Sequence, residues 1–248
     1  MSKKKPILVI AAEPFSIFSE ILFKTFKRHK LRKPLVIIAS FRLIESQMKY
    51  LKYKIPLNKI DKNFEIKDLK IKALNIINLD FTFSKPFKKI SRMSNLYNAN
   101  SFQLALNIIK SNNFVGLING PISKKFFLKN NVPGITEYIA KKTKTQKFAM
   151  LIYNKKLAVS PITTHIPINK VSKVISKKKI IDHVELINKF YKKNFNQKPR
   201  IAITGLNPHC ENNLKNNEEK RIIIPAIKYF KRKSLKITGP LSADSLFM

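Results

Sequence analysis

The chain is short of cysteine, glycine, tryptophan and carboxylates, and each shortage narrows what it can be. With Cys210 alone, no internal disulfide can form, and a reducing, cytoplasmic setting is expected. Five glycines in 248 residues leave no Gly-x-Gly-x-x-Gly, so a Rossmann dinucleotide site has no support. No apolar run is long enough to span a membrane, and no membrane partner is expected. The start of the chain imitates a signal peptide, with Met1-Ser2-Lys3-Lys4-Lys5-Pro6 ahead of Ile7-Leu8-Val9-Ile10-Ala11-Ala12. That apolar run is short, and Glu13-Pro14 ends it where a small-residue cleavage site belongs. It reads as a first core strand.

Only 14 Asp and Glu stand against 50 Lys and Arg, a formal net charge of +36 at pH 7. Such a charge raises nucleic acid or an anionic membrane as a partner. The pattern argues against both. Lysines are spread along the whole chain with apolar periodicity between them. Arginine, the residue best suited to base edges and bidentate phosphate contacts, is scarce. The runs Lys177-Lys178-Lys179 and Lys231-Arg232-Lys233 fall at expected helix ends, where they would be solvated. The favoured reading is a compositional drift toward Lys, Ile, Asn and Phe, with no nucleic-acid partner. A positive field would still speed capture of an anionic substrate. The competing non-enzyme reading is a basic nucleic-acid-binding protein.

What is present is alternation. Strands are expected at residues 7–12, 34–40, 74–79, 114–119, 200–205 and 235–239. Helices are expected at 15–29, 41–53, 98–110, 134–142, 178–195 and 218–230. In the first helix Ile17, Ile21, Leu22 and Phe26 fall on one face; in the third Phe102, Leu106 and Ile109 do. Residues 149–153 and 157–163 read as paired strands around an Asn154-Lys155-Lys156 turn. The expected fold class is α/β: a largely parallel sheet with flanking helices, one catalytic region over residues 1–248 in two lobes. The irregular stretch 54–94 is the candidate seam. Gly120, Gly134, Gly205 and Gly239 each fall in a short loop near an expected strand or helix end, a placement suited to positive φ or close approach of a ligand.

Two of the four histidines share a setting. His165 lies in Thr163-Thr164-His165-Ile166-Pro167 and His209 in Gly205-Leu206-Asn207-Pro208-His209, each after a strand-like apolar run. The carboxyl ends of strands are where α/β folds place metals and substrates. Neutral imidazoles suit Zn²⁺ and other divalent transition metals; the alternative is a packed loop histidine. Two ligands are fewer than the three a catalytic site normally has. His29, at a helix end, and His183, inside a helix, read as structural. Thr136 and Glu137 open a helix after Pro133-Gly134, either as an anion site or as an ordinary first turn. Asp244, after Gly239-Pro240, could orient a ligand histidine, take a proton as a catalytic group, or cap a helix. Cys210 is expected to point away from His209, as neighbours in extended chain do, and to be a buried spectator.

Taken together, Asn119-Gly120-Pro121-Ile122, Gly134-Ile135-Thr136-Glu137, Thr163-Thr164-His165-Ile166-Pro167, Gly205-Leu206-Asn207-Pro208-His209 and Gly239-Pro240-Leu241-Ser242-Ala243-Asp244 resemble, in order and spacing, the 4-hydroxythreonine-4-phosphate dehydrogenase family of pyridoxal phosphate biosynthesis. The resemblance implies the isocitrate and isopropylmalate dehydrogenase type of fold, which binds NAD (or NADP) without the Rossmann fingerprint. It implies a divalent metal (Zn, Mg or Co) on His165 and His209, and a substrate contact at Thr136. It implies oxidation of 4-hydroxythreonine 4-phosphate to a β-keto acid that decarboxylates to 3-amino-2-oxopropyl phosphate. It implies a homodimer with a shared active site. The family's third metal histidine lies beyond the Asp244 motif and on the partner subunit, so the chain ending at Met248 is read as truncated, with an inactive fragment as one alternative.

Three positions depart from the family pattern. Ile135, in the substrate-binding segment, stands where histidine is common and cannot donate a hydrogen bond. That favours, as an alternative, a related metal-dependent dehydrogenase acting on another phosphorylated hydroxy acid. The stretch from Cys210 to Asn217 replaces a glycine-rich loop. Ala12-Glu13-Pro14-Phe15-Ser16-Ile17-Phe18 matches a family segment with its glycines replaced, which would alter backbone approach near the cofactor.

Overall fold

The computed structural model describes residues 5–111, 113–128, 132–210, 216–231, 233 and 235–247. Met1 to Lys4, Arg232 of the basic run, residues 211–215 of the loop after Cys210, and Met248 lie outside them. The chain divides into two compact units, Met1–Val132 and Pro133–Met248.

The first unit is built on five parallel strands: β1 (Ile7–Ile10), β2 (Leu35–Ala39), β3 (Leu57–Ile60), β4 (Leu74–Asn78) and β5 (Leu117–Asn119). Their order is β3-β4-β2-β1-β5, and every neighbouring pair is parallel. Successive residues of β1, β2 and β4 are buried, as in a sheet covered on both faces. Helices α1 (Phe18–Arg28), α2 (Phe41–Tyr50) and α3 (Asn95–Ile109) supply the crossovers.

Three expectations are corrected here. The seam does not fall in 54–94, because that stretch contributes two ladder strands to the sheet of the first unit. One of them, β3, reads Leu-Asn-Lys-Ile and has no buried apolar run to announce it. It is tied on by asparagine: Asn58 Nδ2 donates to Asn75 Oδ1 (2.8 Å), and the fully buried Asn75 donates to Leu35 O (2.8 Å) and Lys70 O (3.0 Å). The buried face of α1 also differs. Ile17 and Ile21 are 62% and 51% exposed, while Leu22 and Phe23 are buried. Residues 13–16 form a turn that delays the helix to Phe18, and the Phe23 ring takes the core position beside Tyr53. The aromatic side chain buries more area than either isoleucine, so it decides the helix rotation.

Near the end of β1, Ala12 sits at φ 58°, the left-handed region that glycine tolerates best. Phe18 packs against Gly120, where an added Cβ would lie 2.8 Å from its ring.

The second unit contains α4 (Ile135–Lys142), a two-residue antiparallel pair β6 (Ile152–Tyr153) and β7 (Ala158–Val159), the one-turn α5 (Val171–Val174) and the long α6 (Lys177–Phe195). Strand β8 (Ile201–Thr204) follows, then a π turn (Glu219–Ile223) running into α7 (Ile224–Lys231), and β9 (Ile237–Leu241), which pairs parallel with β8. The core is Ile180 and Val184 of α6 against Ile223, Ala226, Ile227, Phe230 and Ile237. Helix α6 starts on a Ser176 cap, whose Oγ accepts from Lys179 N (3.1 Å), and stops at Asn196 in the left-handed region (φ 52°). Among the described residues no helix is long and apolar enough to cross a membrane.

Candidate functional site

Every candidate residue lies in the second unit, in three short segments. The first follows β8. Glu219, only 1% exposed, reaches from the π turn and accepts from two consecutive backbone amides, Leu206 N (2.8 Å) and Asn207 N (2.9 Å). Gly205 N donates to Leu241 O (3.0 Å), and a Cβ on Gly205 would collide with Cys210 Sγ. Asn207 Oδ1 accepts from His209 N (3.0 Å), closing the turn that presents the imidazole. Sequence reading missed Glu219. Its signal is faint: the second of two adjacent carboxylates, Glu218 and Glu219, in a run of polar residues.

The second segment is the end of the described chain, strapped onto that turn. Ala243 N donates to Pro208 O (2.8 Å), and Ser242 Oγ donates to the same carbonyl (3.0 Å). Asp244 Oδ2 thereby comes to 2.8 Å from His209 Nδ1. Partial burial works to raise the Asp244 carboxyl, but Ser242 and the His209 imidazole outweigh it and hold the group below its ordinary value. The His209 side chain is 67% exposed, and the contact with Asp244 engages Nδ1 and not Nε2. Cys210 is not in extended chain. It sits in the left-handed region (φ 55°), half-buried against Gly205, so its direction follows from the turn rather than from strand alternation.

The third segment joins the start of α4 to the bend around His165. Strand β7 ends at Val159, so His165 stands beyond the strand in a bend, with φ 56°, and is exposed. Thr164 Oγ1 donates to Glu137 Oε1 (2.8 Å), pinning the bend to the first turn of α4. The His165 ring lies over Gly134: an added Cβ there would be 3.3 Å from both Cδ2 and Nε2. Thr136 and Glu137 line a cavity of about 480 Å³ that also collects Lys147, Lys178, Lys179 and His183. Ile135 is half-buried and does not line it. Lys147 pairs with Asp182 (2.8 Å). His183 is buried, and its Nε2 is 2.6 Å from Ser160 Oγ. Since the Ser160 hydroxyl donates to Met150 O, His183 Nε2–H is the donor to Ser160. Burial, with Lys179 adding to it, pushes the His183 imidazole below its ordinary value.

The structure therefore joins His209 to Asp244 and His165 to Gly134, Thr164 and Glu137. It gathers no group of three or more His, Cys, Asp or Glu side chains able to hold a metal among the described residues. The donor chemistry nevertheless fits a divalent metal as part of a site. An imidazole whose Nδ1 meets a carboxylate is the arrangement that fixes ring orientation in metal-ligating histidines.

The family model described as "Pyridoxal phosphate biosynthetic protein PdxA" matches residues 30–248. A 4-hydroxythreonine-4-phosphate dehydrogenase from a Sulfurihydrogenibium species is 35% identical over 97% of this chain and 75% of its own length. A D-threonate 4-phosphate dehydrogenase from Salmonella typhimurium is 37% identical over 48% of this chain and 37% of its own. Among solved structures, a 4-hydroxythreonine-4-phosphate dehydrogenase from Klebsiella pneumoniae superposes with a TM-score of 0.84 at 25% identity, covering 99% of this chain and 77% of that one.

Proposed function

The chain belongs to the PdxA family of pyridoxal phosphate biosynthetic proteins, and is thus a dehydrogenase of the isocitrate dehydrogenase-like fold; on that premise we propose that it oxidises 4-hydroxythreonine 4-phosphate with NAD or NADP as hydride acceptor and a divalent metal as Lewis acid. The product is a β-keto acid that decarboxylates to 3-amino-2-oxopropyl phosphate, a step toward pyridoxine 5'-phosphate. The observation that carries this reading is the 2.8 Å Asp244–His209 pair inside two of the family's motifs.

A bound divalent metal would supply Lewis acidity, lowering the pKa of the substrate hydroxyl so that hydride can leave the same carbon. The chain's own residues supply orientation. Asp244 takes Nδ1 of His209, so Nε2 is the ligand nitrogen. Glu219 keeps the backbone of the same turn in place. His165 is the second protein ligand. Thr136, in the first turn of α4, offers a hydroxyl and the helix's positive end to the phosphate ester. The lysines around the adjoining cavity add positive potential on that side. The proposed working form is a cytoplasmic homodimer in which the partner subunit completes the metal's ligands.

Ile135 favours a second reading, oxidation of a related phosphorylated hydroxy acid such as D-threonate 4-phosphate, the substrate named for the Salmonella relative. One experiment addresses both. NADH production is followed with each substrate for the wild type and His209→Ala. The reading expects metal-dependent turnover of 4-hydroxythreonine 4-phosphate that is lost in the variant. Undiminished turnover in His209→Ala sinks the ligand assignment, and turnover of D-threonate 4-phosphate alone establishes the second reading.

A further inference from the structure

A carboxylate oxygen without a partner is costly inside a protein, and Glu137 has one. Its Oε1 accepts from Thr164, but its Oε2 is buried and receives no hydrogen bond. Oε2 and Nε2 of His165 face one small space, which exists because residue 134 has no side chain. A Cβ on Gly134 would lie 2.8 Å from Oε2 and 3.3 Å from Nε2. A buried acceptor and a ring nitrogen that can donate thus both lie against the same position that carries no side chain, where a short shift of the exposed ring or one water would join them.

We propose that Glu137 is a positioning residue for His165: its Oε2 accepts the Nε2 proton, directly or through one water, so that His165 presents Nδ1 to a metal. The inference rests on the metal reading above and adds a second carboxylate to it. The two histidines then work in opposite senses. Asp244 holds Nδ1 of His209 and leaves Nε2 as the ligand. Glu137 holds Nε2 of His165 and leaves Nδ1. In each case the carboxylate fixes tautomer and ring orientation before any metal arrives. Thr164 takes part because its hydroxyl sets the Glu137 rotamer from the residue next to His165. The absence of a side chain at position 134 keeps the two groups in reach of each other.

The test uses the whole chain, with Co²⁺ as the probe metal, and reads equilibrium affinity from ligand-field absorbance. His165→Ala is expected to weaken Co²⁺ binding. Glu137→Ala and Thr164→Val are each expected to weaken it by about 10- to 100-fold, the usual effect of losing such a partner. In the His165→Ala background, Glu137→Ala should add nothing, because its effect passes through that ring. The metal-free protein gives an independent readout: ¹⁵N-imidazole spectra should show His165 as one Nε2–H tautomer in the wild type and a mixture in Glu137→Ala. Unchanged affinity in His165→Ala would refute the metal reading. A large loss in His165→Ala with none in Glu137→Ala and Thr164→Val overturns the Glu137 inference alone. An equal loss from Glu137→Ala in both backgrounds, or identical His165 spectra with and without Glu137, overturns it as well.

Discussion

At the scale of single residues, the carboxylates set what the histidines can do. If Asp244 orients His209, Asp244→Ala should weaken divalent-metal binding about 10- to 100-fold while the melting temperature stays close to wild type. Unaltered affinity would mean that the 2.8 Å contact has no bearing on metal binding. This pair was only half legible in the sequence. The two residues are separated by more than thirty positions, and although the sequence allows Asp244 to orient a ligand histidine, it does not say which one. Their meeting depends on a backbone strap through Ala243, Ser242 and Pro208, which no local pattern announces. His183 illustrates the opposite case, since a histidine inside a helix without a motif reads as structural and proves buried against Ser160. Burial and Lys179 hold its folded-state pKa below the unfolded value of about 6.5. Its contribution to stability is therefore fully present above about pH 6.5. It is lost as the pH falls from there through the folded value, because the unfolded chain takes the proton first. Thermal melts across about pH 5 to 7.5 should show a decline on the acid side that is shallower in His183→Gln. Parallel curves for the two proteins would count against this role.

At the scale of elements, periodicity located most strands and helices but not always their faces. The strands β1 and β2 are nearly continuous β-branched and leucine runs, so both their existence and their burial could be read directly. Strand β3 could not be, since its place is set by the Asn58–Asn75 bond and by Asn75 spanning to β2, interactions between distant residues. In α1 two apolar stripes compete, and the core accepts the one carrying Phe23. The stability consequence is specific. Phe23→Ala should cost about 3–5 kcal/mol, whereas Ile21→Ala should stay within about 0.5 kcal/mol. Denaturant titration of both variants decides it. Comparable losses would restore the helix face that the spacing alone suggests. The paired strands expected over 149–163 shrink to two residues each, and their side chains are largely exposed, with Tyr153 stacked on Phe195 of α6.

At the scale of the whole molecule, the formal charge of +36 acts as a field rather than as a contact. On the proposed function, a phosphorylated substrate approaching Thr136 would meet that field before it meets any residue. With chemistry unchanged, kcat/KM should fall several-fold between about 20 and 300 mM salt while kcat stays nearly constant. A loss confined to kcat would place the salt effect inside the site instead. Oligonucleotide binding, if detected at low salt, should vanish near physiological ionic strength. Retention there with a steep salt slope would favour a nucleic-acid partner after all.

The clamp of Glu219 on Leu206 and Asn207 has a consequence in time. Glu219 comes later in the chain than His209, so the turn that aims the imidazole depends on a residue synthesised after it. A nascent chain that has extruded His209 but not yet docked the π turn carries an unaimed imidazole. Chains emerge residue by residue while units fold whole. The orientation of His209 therefore arrives together with the closing of the second unit's core, rather than with the synthesis of the histidine itself.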